Sequence, residues 1–313
     1  MRLQSSLNSK MIKVTVCLVI ASLCLITLPT RSLTQSTDKR RLKVIFVDDK
    51  NHSLDNIQDQ DIEVLEDGVR QQAKIEQQRL PARYVLLIDT SGSLRSQFPH
   101  VLETARAFIR SNTDKDETAI VRFIDSSTIQ IVQPFTSDKA LLLSKVETLK
   151  IQGGHTAILD AIYASAEYLY QYATKGPPRN NALVLITDGE NRDSVHDLKA
   201  LLDFVRPKDI RIHSLGLISE LDKEAGFIRK APRKKAEELL SLLANSSGGR
   251  TFLVAKPKEF PEAILEINHD LRSDYLITYT SGSVSPNPKI EIKVAKSPDN
   301  KKRRAIFKAF TLD

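Results

Sequence analysis

Apolar and polar positions along this chain follow two rules in succession, and the changeover marks its architecture. Residues 42–47 (LKVIFV) alternate with the period of a strand, and residues 62–66 (IEVLE) form another before Asp67-Gly68, a hairpin-turn dipeptide, with residues 71–77 as the return strand. Strands this short cannot bury a core alone. At Tyr84 the rule changes. Residues 84–89 (YVLLID) are apolar or aromatic up to a final carboxylate, the mark of a strand buried on both faces of a parallel sheet. Residues 118–124, with 128–132 as hairpin partner, 181–187, 210–218 and the short 251–254 are the further strands. They alternate with helical spacing at residues 96–111, 138–149, 157–172, 194–205, 235–244 and 259–271. Repeated βα units predict an α/β fold, a doubly wound and mostly parallel sheet with helices on both faces. After Arg272 the helices stop, and residues 274–280, 289–294 and 305–310 are predicted strands that pair with the first ones in a small β domain. The expected organisation is a leader over residues 1–34, an N-terminal β segment over 35–80, the α/β domain over 81–272, and a C-terminal β segment over 273–313 pairing with 35–80.

Composition changes this picture mainly at the N-terminus. The chain is 41% hydrophobic and 27% charged, as an ordinary globular protein is. Its net charge of +7 includes Arg2, Lys10, Lys13 and Arg31 of a leader without acids, so the remainder carries only +3 and gives a nucleic-acid role no support. A basic start, an apolar run over residues 14–28 and then Pro29 predict an export signal. An uncleaved membrane anchor is the alternative, although the run is shorter than the roughly 18–20 residues of a spanning helix. The protein is therefore expected outside the cytoplasm, whether periplasmic, secreted or anchored. Cys17 and Cys24 both lie in the leader, which leaves the mature chain without thiolate metal sites, disulfides or a cysteine nucleophile.

Candidate chemistry gathers at three strand-to-helix junctions: residues 89–93 (DTSGS), 153–156 (GGHT) and 187–189 (TDG). In an open α/β sheet, ligands bind at the carboxyl ends of the strands. Hard oxygens without thiolates or clustered histidines suit Mg²⁺ (or Mn²⁺) rather than zinc. Neutral hydroxyls with one or two carboxylates leave such an ion short of negative charge, so it should attract a carboxylate from outside. His155 is assigned to the rim, and Glu190 and Asn191 either touch a partner or are solvated. Asp160 is expected to support the loop by a local hydrogen bond, and Asp125-Ser126-Ser127 to be a hairpin turn.

Asp89-x-Ser91-x-Ser93, with Thr156 in GGHT and Asp188 in TDGE, resembles the complete metal-ion-dependent adhesion site of von Willebrand factor type A domains, and the resemblance covers roughly residues 83–269. It implies hydroxyl ligation by Ser91, Ser93 and Thr156, with Asp89 and Asp188 acting directly or through water. It also implies a Glu or Asp of a protein partner that completes the shell. EDGVRQ (66–71) and LRSDYLITY (271–279) are similar to the flanks of a bacterial exported subfamily of these proteins.

The function expected is an exported, non-enzymatic binding module for adhesion or complex assembly. Alternatives are a structural subunit of an envelope complex with a purely structural metal, and a metal-dependent hydrolase. A phosphatase using Asp89 as nucleophile would want a second Asp at position 91, which is Ser. No GxSxG, HExxH or GxxxxGK[ST] pattern occurs, and the six histidines are scattered. The basic residues over 223–235 form a solvated loop or meet an acidic surface or lipid headgroups, and residues 301–304 (KKRR) are expected at a hairpin tip.

Overall fold

Strands and helices follow the hydrophobic pattern closely through the middle of the chain and less closely at its flanks. The computed structural model describes residues 38–218, 221, 232–283, 285 and 287–308; the expected leader and most of the basic stretch 223–235 lie outside the described residues. The strands are β1 (Asp38–Asp48), β2 (Ile62–Glu66), β3 (Val69–Gln71), β4 (Lys74–Arg79), β5 (Ala82–Asp89), β6 (Glu117–Phe123), β7 (Ile129–Thr136), β8 (Asn180–Thr187), β9 (Arg211–Leu217), β10 (Thr251–Val254), β11 (Ser273–Ser281), β12 (Ile290–Val294) and β13 (Arg303–Phe307). The helices are α1 (Phe98–Arg110), α2 (Lys139–Val146), α3 (Ile158–Ala173), α4 (Leu198–Val205), α5 (Pro232–Ser247) and α6 (Phe260–Arg272).

Six strands form the central sheet in the order β10-β9-β8-β5-β6-β7. All neighbours are parallel except the β6–β7 hairpin. Every residue of β5 is buried, which explains the apolar run at Tyr84–Ile88; Arg83, also buried, is paired with Glu117 at 2.8 Å. Tyr84, Leu86 and Ile88 pack on one face against Val101, Ala105 and Phe108 of α1 and Ile267 of α6. Val85 and Leu87 pack on the other against Ile158 and Ile162 of α3, Leu201 of α4 and Leu240 of α5. This is the doubly wound α/β arrangement, with α1, α2 and α6 on one face and α3, α4 and α5 on the other.

The flanking strands build two antiparallel sheets, ordered β13-β1-β11-β4 and β12-β2-β3. Leu42, Val44 and Phe46 of β1, Ile62 and Val64 of β2, and Tyr275 and Ile277 of β11 fill the space between them, while Ile45 and Val47 form a second cluster with Ile306. β1 begins at Asp38, ahead of its apolar alternation, because Asp38–Arg41 pair with Thr278–Ser281. The return strand expected over residues 71–77 is instead two strands in different sheets. Asp67 and Gly68 adopt φ of 49° and 81°, which turns β2 back into β3. The chain then crosses at residues 72–73 to pair β4 with β11. The tip expected at residues 301–304 lies earlier, where Asn300 N–H donates to the Ser297 carbonyl at 2.8 Å; Arg303 and Arg304 already belong to β13.

The flanks join the α/β domain through charge as well as packing. Arg250 Nε donates to Asp270 (2.6 Å), Nη1 to the Asn51 carbonyl (2.7 Å), and Nη2 to Ser53 Oγ (2.8 Å) and Glu266 (3.0 Å). Arg211 meets Asp274 at 3.0 Å and Lys43 meets Asp209 at 2.6 Å.

Candidate metal centre

The centre forms where the loops after β5 and β8 leave the carboxyl edge of the sheet and meet residues 147–157, which join α2 to α3 rather than forming the third strand-to-helix junction expected at 153–156. β5 delivers Asp89 beside Phe123 of β6, and the neighbouring register of Ile88 with Ile186 puts Thr187 alongside it. Thr90 closes the strand end by donating from its backbone N–H to the Phe123 carbonyl at 3.0 Å, and Ser91 N–H folds back onto Asp89 Oδ1 at 2.9 Å. A single 3₁₀ turn over Gly92–Leu94 follows, anchored by the fully buried Leu94. It carries Ser93 to the same side as Ser91.

Three hydroxyls then stand in a row. Thr156 Oγ1 donates to Ser91 Oγ at 3.1 Å, and Ser91 Oγ lies 3.1 Å from Ser93 Oγ. The Ser93 hydroxyl hydrogen-bonds Asp188. Thr187 Oγ1 donates to Asp89 Oδ2 at 2.6 Å and accepts from Gly189 N–H at 3.1 Å, while Asp188 Oδ1 accepts from Glu190 N–H at 3.0 Å. The five residues singled out in the sequence, Asp89, Ser91, Ser93, Thr156 and Asp188, are thus linked in one network. Asp89, Ser91, Thr156 and Asp188 are buried and Ser93 is exposed, so the group opens to solvent on the Ser93 side.

Electrostatics distinguish this group from an ordinary helix cap. Burial pushes the Asp89 carboxyl up to about 7, with the charge of Asp188 adding to it and the Thr187 and Ser91 hydrogen bonds opposing. Burial raises Asp188 too. Among the described residues, neither carboxylate has an ion-pair partner; Arg192, which pulls on Asp188, holds both oxygens of Glu190 at 2.7 Å. A cation would relieve two buried acids held together without a salt bridge among the described residues. The donor set fits a hard divalent ion. No group of three or more His, Cys, Asp or Glu suited to a metal occurs among the described residues, so hydroxyls must supply what the two carboxylates do not.

The surrounding loops are locked to each other. Gln152 N–H donates to the Thr90 carbonyl (3.0 Å) and Ala157 N–H to the Ile124 carbonyl (2.8 Å). Gly154 has φ of +147°, and a Cβ there would lie 2.4 Å from Ile124 Cγ2. Gly189 has φ of +86°, and its Cβ would lie 2.7 Å from that of Ala236.

His155 is exposed, as a rim residue is. Glu190 is half-buried against Arg192. Asn191 has a different task from the partner contact or solvation expected. Its Oδ1 accepts from Ile158 N–H at 2.9 Å and from Ser194 Oγ at 2.6 Å, which caps the start of α3. Asp160 reaches out of α3 to accept from Val195 N–H and His196 N–H, both at 2.8 Å. Arg192 N–H and Asp193 N–H donate to the Thr156 carbonyl at 2.8 and 3.2 Å. Sequence reasoning assigned no role to Thr187 or Val195. Val195 is 82% exposed on the loop after Asp188, and its one sequence signal is an apolar side chain in an otherwise polar NRDSVHD run.

Comparison with known proteins agrees with this architecture. The family profile of the von Willebrand factor type A domain matches residues 85–265, more than half of the sequence, and the chain belongs to that family. An uncharacterised protein of Synechocystis sp., sll0103, is 28% identical over 172 residues, which cover 54% of this chain and 39% of that protein. The chain thus spans about two fifths of the length of the curated relative it matches. Among solved structures, a von Willebrand factor type A protein from Catenulispora acidiphila is 14% identical with a TM-score of 0.49, over 89% of this chain and 76% of its own. The conserved hypothetical protein BatB from Bacteroides thetaiotaomicron is 18% identical with a TM-score of 0.45, over 59% of this chain and 97% of its own.

Proposed function

We propose that the protein is a binding module in which Asp89, Ser91, Ser93, Thr156 and Asp188 form a metal-ion-dependent adhesion site for Mg²⁺ or Mn²⁺. The observation that carries this reading is the pair of buried carboxylates, Asp89 and Asp188, knit to three hydroxyls without an ion-pair partner among the described residues. Ser91, Ser93 and Thr156 would offer neutral oxygens, and the two acids would ligate directly or through water. The ion supplies a Lewis-acidic point that a Glu or Asp of a protein partner can join. Thr187 orients Asp89, the 3₁₀ turn presents Ser93, and the loop 190–197 holds Thr156 in place. Exposed Ser93, His155 and Val195 mark the face a partner would meet, which favours an accessible centre over an ion that only locks the fold. The reading is one of binding rather than catalysis, because among the described residues the hydroxyls of Ser91, Ser93 and Thr156 bond one another and Asp188, with no His or Lys hydrogen-bonded to them. The export expected from residues 1–34 would place this binding outside the cytoplasm. No helix among the described residues is long and apolar enough to cross a membrane.

A thermal melt in Mg²⁺ or Mn²⁺ against EDTA, repeated with Asp89→Ala, tests the centre. An ion bound only by the folded state at 100-fold over its dissociation constant adds about 2.7 kcal/mol. The expected result is a rise in melting temperature that Asp89→Ala abolishes. Protein partners captured on the immobilised chain should elute in EDTA and be missing with Asp89→Ala. Partners that stay bound in excess chelator would refute metal-dependent adhesion.

A further inference from the structure

We propose that the concavity between β6, β7 and the C-terminal end of α2 is an anion pocket. It takes a second acidic side chain from the protein segment whose first carboxylate meets the metal centre. The inference rests on the metal-dependent reading for the identity of the partner, while the pocket's own chemistry stands apart from it. The cavity measures about 330 Å³, and Arg122, Gln130, Lys145, Thr148, Lys150 and Gln152 are among its lining residues. Its three charged residues are all basic, and no carboxylate lines it.

Acids among the described residues do not neutralise these cations. Glu147 holds Arg106 at 2.7 Å, and Asp125 is turned onto the N–H and Oγ of Ser127 at 3.0 and 2.7 Å. Arg122 gives its Nε–H to Gln130 Oε1 at 2.9 Å, and among the described residues no ion pair reaches Arg122, Lys145 or Lys150. Three like charges around one small concavity repel each other. An anion that enters relieves the repulsion and finds the Thr148 hydroxyl and the Gln130 and Gln152 amides as further polar neighbours. Ile131, Val132 and Leu149 also line it, but every charge on the lining is positive, which favours an anion over an apolar ligand.

Position ties the pocket to the metal centre. Arg122 pairs in register with Ile88, one step before the Phe123–Asp89 pair. Gln152 donates its backbone N–H to Thr90, the residue between Asp89 and Ser91, and a Cβ on Gly92 would lie 3.9 Å from the Gln152 carbonyl oxygen. The loops that shape one site therefore also wall the other. An extended peptide advances about 3.3 Å per residue, so acidic side chains a few residues apart can reach both sites. The partner this surface fits is an acidic stretch of protein, not a lone aspartate.

Fluorescein-labelled hexa-aspartate binding to the full chain, followed by anisotropy in Mg²⁺ and in EDTA, provides the test. The pocket variant Arg122→Gln/Lys145→Gln/Lys150→Gln should bind about tenfold more weakly than wild type in both buffers, as the loss of three partly exposed ion pairs implies. A control that removes equal charge from the flanking sheets, Lys289→Gln/Lys293→Gln/Lys302→Gln, should bind as wild type does. Should the triple pocket variant fail to fold, Lys150→Glu alone, at an exposed position, should still weaken binding measurably. A pocket variant that binds like wild type, or a control that loses as much, overturns the proposal. Wild-type binding that is the same in Mg²⁺ and EDTA, yet lost by the pocket variant, would overturn the metal-dependent reading and leave the pocket standing.

Discussion

Thr187 shows how much of the centre depends on one atom. Its hydroxyl donates to Asp89 and accepts from Gly189 N–H, so it fixes the carboxylate and the turn that carries Asp188 together. Thr187→Val keeps the shape and the β-branch but leaves Asp89 Oδ2 and Gly189 N–H without that partner. A buried group left unsatisfied costs about 1–3 kcal/mol, and a melt in EDTA should show a loss of that size. Asp89→Asn should act in the opposite direction. It removes one of two buried like charges, so the metal-free protein should melt higher than wild type, while the rise on adding Mg²⁺ should disappear. A variant that melts lower than wild type in EDTA would contradict the charge argument. Gly154→Ala should destabilise in either buffer, by about 1–3 kcal/mol, because the backbone at φ +147° is strained for any side chain and Ile124 blocks the new methyl.

Elements in the centre of the chain were legible because each obeys a single local rule. β5 is buried on both faces and is apolar from Tyr84 to Ile88, and α2 begins where Asp138 Oδ1 caps Leu141 N–H at 2.9 Å. Four of the five candidate oxygen donors, all but Thr156, stand at or just after the ends of β5 and β8, where sequence order predicts proximity. α4 was misread by four residues for a tertiary reason. Ser194, Val195 and His196 could begin a helix, but Asn191 of the same loop and Asp160 of the adjacent helix α3 take their hydrogen bonds. The helix starts only after Asp197, whose Oδ1 accepts from Ala200 N–H at 2.7 Å. The split of β3 from β4 was hidden for a similar reason, since polar residues 70–72 satisfy either sheet and the partner strand β11 lies some two hundred residues along the chain. Asn191 looked like a rim residue because its helix-capping contact with Ile158 is also long-range. Asn191→Ala should cost about 1 kcal/mol as the loss of a cap. It should also weaken Mg²⁺ binding, because α3 starts two residues after Thr156; unchanged metal affinity in a titration followed by melting temperature would separate the cap from the centre.

Across the whole molecule, the flanking sheets and the α/β domain meet over a buried charge network, and His213 gives that junction a pH dependence. Residue 213 of β9 is fully buried; its Nδ1 accepts from Arg250 N–H at 3.3 Å and lies 3.7 Å from Asp270. Burial pushes the imidazole down to about 4; Asp270 pulls upward, and Arg211 and Arg250 push further down. The ring is therefore neutral in the folded chain, and protonation would cost Nδ1 the lone pair that accepts from Arg250. Below about pH 6.5 the unfolded chain takes up a proton at this residue while the folded chain does not until about 4, so stability falls as pH drops through that window. The shift corresponds to about 3 kcal/mol at most. His213→Asn retains a side chain that can accept from Arg250 and does not titrate. Urea unfolding of wild type between pH 7 and 4.5 should show a stability slope that the variant has largely lost. Because every other titrating group is shared, the difference between the two curves isolates His213, and parallel curves would show that the junction carries no such linkage. The network that docks the flanking sheets onto the α/β domain would then tighten at neutral pH and loosen in acid, away from the oxygens of the candidate metal centre.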